Sequence, residues 1–275
     1  MRAGLFAKSS GRRGFTLIEL VVVLVIIATI AGFVIPQIGL IGRSSDMAAT
    51  AKTQSDIANN VQLFFTLQKR YPQGLDSLLD TSGAVYASDT SNGDTQSRGL
   101  PYSGADGTRL QAQLAKATLT VSDATYARSL TRSGFDWLYD HDPVATNANN
   151  SGLTFRALVA DANGTGNTAP STIDVAEVTG TYLLGKLVPQ GLKTGERVVA
   201  FGVGPRNSAI SKTLTNSPIY PGCDGKYYGR YVVYFKLYAS GERASLVGVS
   251  DSYGRTPDYS QQQFNESLPD GGRQG

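Results

Sequence analysis

The chain has 275 residues, room for one or two domains with a real core, and carries 25 basic against 22 acidic side chains, formally +3. Four of the basic residues, Arg2, Lys8, Arg12 and Arg13, fall within the first 14 positions; without them the balance is −1, so overall charge makes no case for nucleic-acid binding. A single cysteine, Cys223, excludes an internal disulfide. A single histidine, His141, excludes His-rich metal sites and argues against a Ser-His-Asp apparatus.

The basic leader, residues 1–14, ends at Gly14. Residues 20–42 then run for 23 positions without a charge, and Gln37 is their only strongly polar side chain. About 20 apolar helical residues cross a hydrocarbon core of about 30 Å. Arg12 and Arg13 precede the run, which by the positive-inside rule keeps the leader cytoplasmic and puts the bulk of the chain across the membrane. A cleaved secretory signal fits poorly. Its apolar core is shorter, and the nearest small-residue site, Ala49-Thr50-Ala51, comes only after Arg43 and Asp46. Glu19 stands at the edge of the apolar run, where a carboxylate is expensive to keep and a simple anchor has no use for it.

The stretch Gly14-Phe15-Thr16-Leu17-Ile18-Glu19-Leu20 resembles the prepilin signature of type IV pilins and type II secretion pseudopilins, over residues 11–42. The resemblance implies that a membrane prepilin peptidase cuts between Gly14 and Phe15 and methylates the new Phe15 amine. The chain is then the substrate of that chemistry and has no catalytic residues of its own. Glu19 becomes the fifth mature residue and Pro36 the twenty-second, where many pilins carry a proline. Cutting leaves an ammonium at Phe15 in an apolar setting. In a stack of subunits the Glu19 carboxylate can pair with a neighbour's Phe15 amine and fix the axial register of helices that are otherwise uniformly apolar. Pro36, surrounded by Gly32, Gly39 and Gly42, weakens the helix, as a hinge or as a simple bend near the membrane exit.

Residues 43–70 continue the helix with an amphipathic pattern, Ile57, Val61, Phe64 and Phe65 forming one apolar stripe. Tyr71-Pro72-Gln73-Gly74 stops it. Leu75, Leu78 and Leu79 predict a short helix pinned back on the stem, and the segment from Arg70 to Leu79 is similar to the major type II pseudopilin after its long helix. Residues 71–275 form the head. Strands are expected at 117–121, 181–188, 197–203, 230–238 and 244–249, the last two joined as a hairpin through Ser240-Gly241-Glu242. Phe135-Asp136-Trp137-Leu138-Tyr139 reads as core, 80–110 as surface loop, and the tail from Thr256 as frayed.

Metal ligation by Asp140-His141-Asp142 is disfavoured, since adjacent ligands converge poorly. The loops at 89–94 and 161–164 lack EF-hand spacing. Major pseudopilins carry calcium in a C-terminal loop; Asp251 and Asp258 are the candidates here for a structural calcium, and no other cofactor is expected.

The expected fold class is α+β: a pilin-like lollipop with a long N-terminal helix, transmembrane in its first half (15–42), packed on a mostly antiparallel sheet. The expected function is that of a pseudopilus subunit, not an enzyme. It sits in the inner membrane with its head outside the cytoplasm. Its partners are the prepilin peptidase, other pilin-like subunits, an inner-membrane assembly platform and lipid, without nucleic acid. Alternatives are a major or minor type IV pilin, including a DNA-uptake pilin, and a binding module or enzyme that uses the segment only as an anchor.

Overall fold

A computed structural model describes residues 16–86, 99–100, 110–121, 126–141, 153–221 and 228–259, the side chains of 33–44 excepted. The chain forms two compact units, residues 1–45 and 46–275. Helix α1, Leu17–Gln68, begins in the first and ends in the second. In the first unit Leu17, Ile18, Ile30 and every residue from 20 to 27 are 46–82% exposed. A helix apolar on all sides is a buried one by chemistry, and its own chain does not bury it.

In the second unit α1 buries Thr50, Gln54, Ile57, Val61 and Phe64, spaced alternately by four and three, so one stripe faces inward. The predicted stripe holds, with Phe65 half-buried beside it. The helix stops at Gln68 because Lys69 turns left-handed (φ 57°), donates its N–H to the Phe65 carbonyl at 2.8 Å, and Pro72 follows. Tyr71 then anchors the exit. Its ring lies 4.7 Å from Phe235 and 5.7 Å from Phe135, and its hydroxyl accepts the Leu246 N–H.

The strands are β1 Leu75–Asp80, β2 Leu114–Thr120, β3 Trp137–His141, β4 Leu153–Ala157, β5 Thr172–Val178, β6 Glu196–Gly202, β7 Val232–Tyr238 and β8 Ser245–Ser250. They make one eight-stranded sheet in the order β2-β5-β6-β1-β3-β4, with β7 added on β6 and β8 on β7. Strand alternation divides the core in two. Val199, Phe201, Val233, Phe235 and Leu237 pack with Ile57, Val61, Phe64 and Phe135. Val198, Ala200, Val232 and Tyr234 pack with Leu78, Leu79, Leu183 and Leu187 on the other face. Helix α3, Tyr126–Arg132, covers the first face; α2, Leu110–Gln113, and α4, Thr181–Leu187, cover the second.

The architecture is α+β, and two expectations need correction. The sheet is mostly antiparallel as expected, with β1 and β3 the one parallel pair among the described strands. Leu75, Leu78 and Leu79 lie in β1, not in a helix; the strand is interior and covered on both faces, so its leucines need not alternate. Residues 181–187 are helix α4, whose Leu183 and Leu187 sit four apart on its buried side. The strands expected near 117–121, 197–203, 230–238 and 244–249 are present as β2, β6, β7 and β8. The β7–β8 hairpin turns through Gly241 (φ 71°), which donates to the Tyr238 carbonyl. Truncating Phe235 to alanine is expected to lower the unfolding free energy by about 3–5 kcal/mol, whereas Leu67→Ala, on the exposed side of α1, changes it by less than about 0.5 kcal/mol. Denaturant titration of the full chain in detergent measures both.

Candidate functional site

The first turn of α1 is held by a reciprocal capping arrangement. The Thr16 N–H and hydroxyl donate to Glu19 Oε2 at 2.9 and 2.8 Å, and the Glu19 N–H reaches back to Thr16 Oγ1 at 3.4 Å. Thr16 carries the N-cap and Glu19 the third helical position, so two of the orphan donors of the helix start are satisfied locally. Sequence reasoning missed this although the signal was in view, a Thr-x-x-Glu directly before an apolar run. Glu19 therefore starts the helix within its own chain. Gly14 and Phe15, on either side of the expected cut, lie outside the described residues. Helix α1 continues through Pro36, whose side chain is also outside them.

Among the described residues no helix is long and apolar enough to cross a membrane. Of the 23-residue uncharged run, the side chains of 33–42 are not among them.

The other candidates do not converge. Asp140 and His141 leave β3 on opposite faces: Asp140 pairs with Arg156 and accepts the Ser77 hydroxyl, while His141 is buried against Tyr86 and Tyr228. Asp142, Cys223 and the loop at 89–94 lie outside the described residues. Asp161 spends its carboxylate on the Gly166 N–H of its own turn.

The calcium candidates are 251 and 258. Asp258 is exposed, whereas Asp251 is buried. Asp251 Oδ1 accepts the N–H groups of Tyr253 and Arg255, both at 2.9 Å, and Arg255 Nε stands 3.8 Å from Oδ2. Burial pushes the Asp251 carboxyl up to about 6, against the pull of Arg255 and the backbone N–H groups. Calcium takes six to eight oxygens, commonly several carboxylates. One carboxylate already facing a guanidinium does not fit that ion, and no group of three His, Cys, Asp or Glu side chains is present among the described residues. The turn is closed instead by Arg255, whose carbonyl accepts Gln54 Nε2 of α1 at 2.8 Å. EDTA or added calcium should leave the melting temperature of the full chain unchanged, while Arg255→Gln should lower stability by about 1–3 kcal/mol by stranding a buried carboxylate. A calcium-dependent melt would contradict this.

A family model for the prokaryotic N-terminal methylation motif matches residues 9–35. No curated protein and no solved structure matches the chain. The matched residues take in the basic end of the leader, Gly14-Phe15, the Thr16–Glu19 cap and the exposed apolar turns of α1. The chain therefore carries the prepilin-type methylation signal of type IV pilin-like proteins.

Proposed function

We propose that the chain is a structural subunit, not an enzyme: a prepilin-like precursor held at the inner membrane, cut after Gly14, methylated at Phe15, and polymerised through α1 into a type II secretion pseudopilus. The observation that carries the reading is the apolar surface of residues 17–30, exposed on every side and directly following the methylation signal. Such a surface needs lipid first and neighbouring helices afterwards. The partners are then the prepilin peptidase, an assembly platform, lipid and other pilin-like subunits.

Glu19 has two tasks in the assembly. In the free subunit its carboxylate caps the helix. In the filament it pairs with the Phe15 ammonium of a neighbour and sets register. The two are separable, because glutamine at this position keeps a capping box but carries no charge. A secretion pseudopilus is favoured over a pilus by the Tyr71-Pro72 segment, and by a C-terminal turn closed by Asp251 and Arg255 without a disulfide.

Glu19→Gln is expected to leave cleavage and the melting of the head unchanged while lowering the sheared-filament yield about 100-fold or more, the scale of stranding one partner of a buried pair. Quantitative immunoblotting of sheared and membrane fractions reads both. Filament yield equal to that of the unmodified chain would rule out the register pair.

A further inference from the structure

The head holds a buried polar cluster that polymerisation does not use. Asp76 of β1 is fully enclosed. Its Oδ2 accepts the Tyr228 hydroxyl at 2.8 Å and lies 3.7 Å from His141 Nε2; its Oδ1 and His141 Nε2 are buried without a hydrogen-bond partner. Tyr86 stacks on the His141 ring at 4.5 Å, and Tyr228 meets it edge-on at 5.3 Å. The wall of the cluster on the β6 side is glycine of necessity. A Cβ at Gly202 would collide with the Tyr228 hydroxyl, and one at Gly204 with the Asp76 carboxylate.

The position of the cluster in the sheet gives it leverage. The register joining β1 to β6 is one residue pair, Asp76 opposite Gly202. Through β1 this pair connects β3 and β4 to β6, β7 and β8. Directly beyond it the β1–β3 register shifts, and Leu78, fully buried, takes φ 59°. A bulky residue in the left-handed region is a genuine outlier, and such strain persists only where the surroundings hold it. The join is thus narrow, strained and built around a carboxyl group.

We propose that Asp76 and His141 form a proton-operated latch across this join: proton uptake from solvent at Asp76 closes it, and proton loss slackens it. In the closed form the new carboxyl O–H donates to His141 Nε2, after an approach of under about 1 Å. In the open form, with the neutral imidazole as its Nδ1–H tautomer, the carboxylate faces a bare Nε2. Among the described residues, the charged or titratable groups facing Asp76 are Tyr228 and Arg230 from the segment before β7, Arg206 from the loop after β6, and His141 from β3, with Tyr86 behind the imidazole. β6 itself presents only glycine.

The burial and charges around the cluster agree with this geometry. Burial raises Asp76 to about 7, against the Tyr228 hydrogen bond and the fields of Arg230 and Arg206. Burial, helped by Arg230, lowers His141 to about 4, so the imidazole stays neutral throughout. An acid raised above its unfolded value contributes stability that is fully present below the unfolded pKa, about 3.9, and is lost as pH rises to about 7. The depressed His141 acts oppositely between about 6.5 and about 4. The two partly cancel in the unmodified chain, and a variant is needed to expose the Asp76 share.

The test compares amide exchange in the full-length chain and its Asp76→Asn variant, in detergent, at pH 5 and pH 8. At pH 8 the unmodified chain should exchange about tenfold faster than the variant in peptides from β1, β3 and β4, with equal rates at pH 5 and equal rates in β7 and β8 at both. A ratio independent of pH, or a change spread equally into β7 and β8, overturns the latch. Should the variant not fold, carboxyl-carbon NMR of the unmodified chain decides: a midpoint near 7 for Asp76 supports the latch, and one near 4 overturns it. The latch does not rest on the filament reading, and its failure leaves that reading intact.

Discussion

An apolar helix surface that its own chain leaves bare governs the rest of this molecule. Full burial of one large aliphatic side chain is worth about 1.5–3 kcal/mol. Eleven such side chains between Leu17 and Ile30 are about half exposed or more, so the unmet burial is on the order of 10–20 kcal/mol. That matches or exceeds the whole stability of an ordinary domain, about 5–15 kcal/mol. The chain alone in water is therefore the unfavoured state, and this surface calls for a lipid phase or companion helices. The head, with its two apolar layers on an eight-stranded sheet, closes its own core and makes no such demand.

Within that apolar surface Glu19 is the one charge, and two interactions compete for it. The contact to Thr16 is worth about 1 kcal/mol, the usual scale of a helix cap. Stranding one partner of a buried ion pair costs about 3–5 kcal/mol. In the filament proposed above the ion pair would govern Glu19, and in the free chain the cap does, so the same carboxylate can serve both without contradiction. On that proposal the ammonium that completes the pair exists only once the bond between Gly14 and Phe15 is cut, which would set an order of insertion, cleavage and assembly.

Legibility in the sequence followed periodicity. The stripe of Ile57, Val61 and Phe64 was readable because one face of α1 is buried there, and β7 was readable from its run of β-branched and aromatic residues, although both of its faces are covered. Leu75, Leu78 and Leu79 were misread because their i, i+3, i+4 spacing mimics a helix face, while β1, covered on both faces, imposes no alternation on them. The segment Thr181–Leu187 was misread because Tyr182 and the leucines around it suit a strand as well as a helix, and only packing against the sheet decides. Strands β4 and β5 escaped notice amid polar, glycine-containing sequence. The Thr16–Glu19 cap was legible and overlooked, since the charge of Glu19 stands out more than its distance from the threonine. The Asp76–His141 contact was not legible at all: residues 65 positions apart in sequence meet only through the parallel pairing of β1 with β3.

The central claim is that this chain is a precursor whose helix becomes functional when its leader is removed. Intact mass and N-terminal peptide analysis of the chain, co-expressed with a prepilin peptidase, tests it most directly. The predicted result is a mature protein beginning at N-methylated Phe15. A chain that still begins at Met1, or one cut after Ala51, would contradict it.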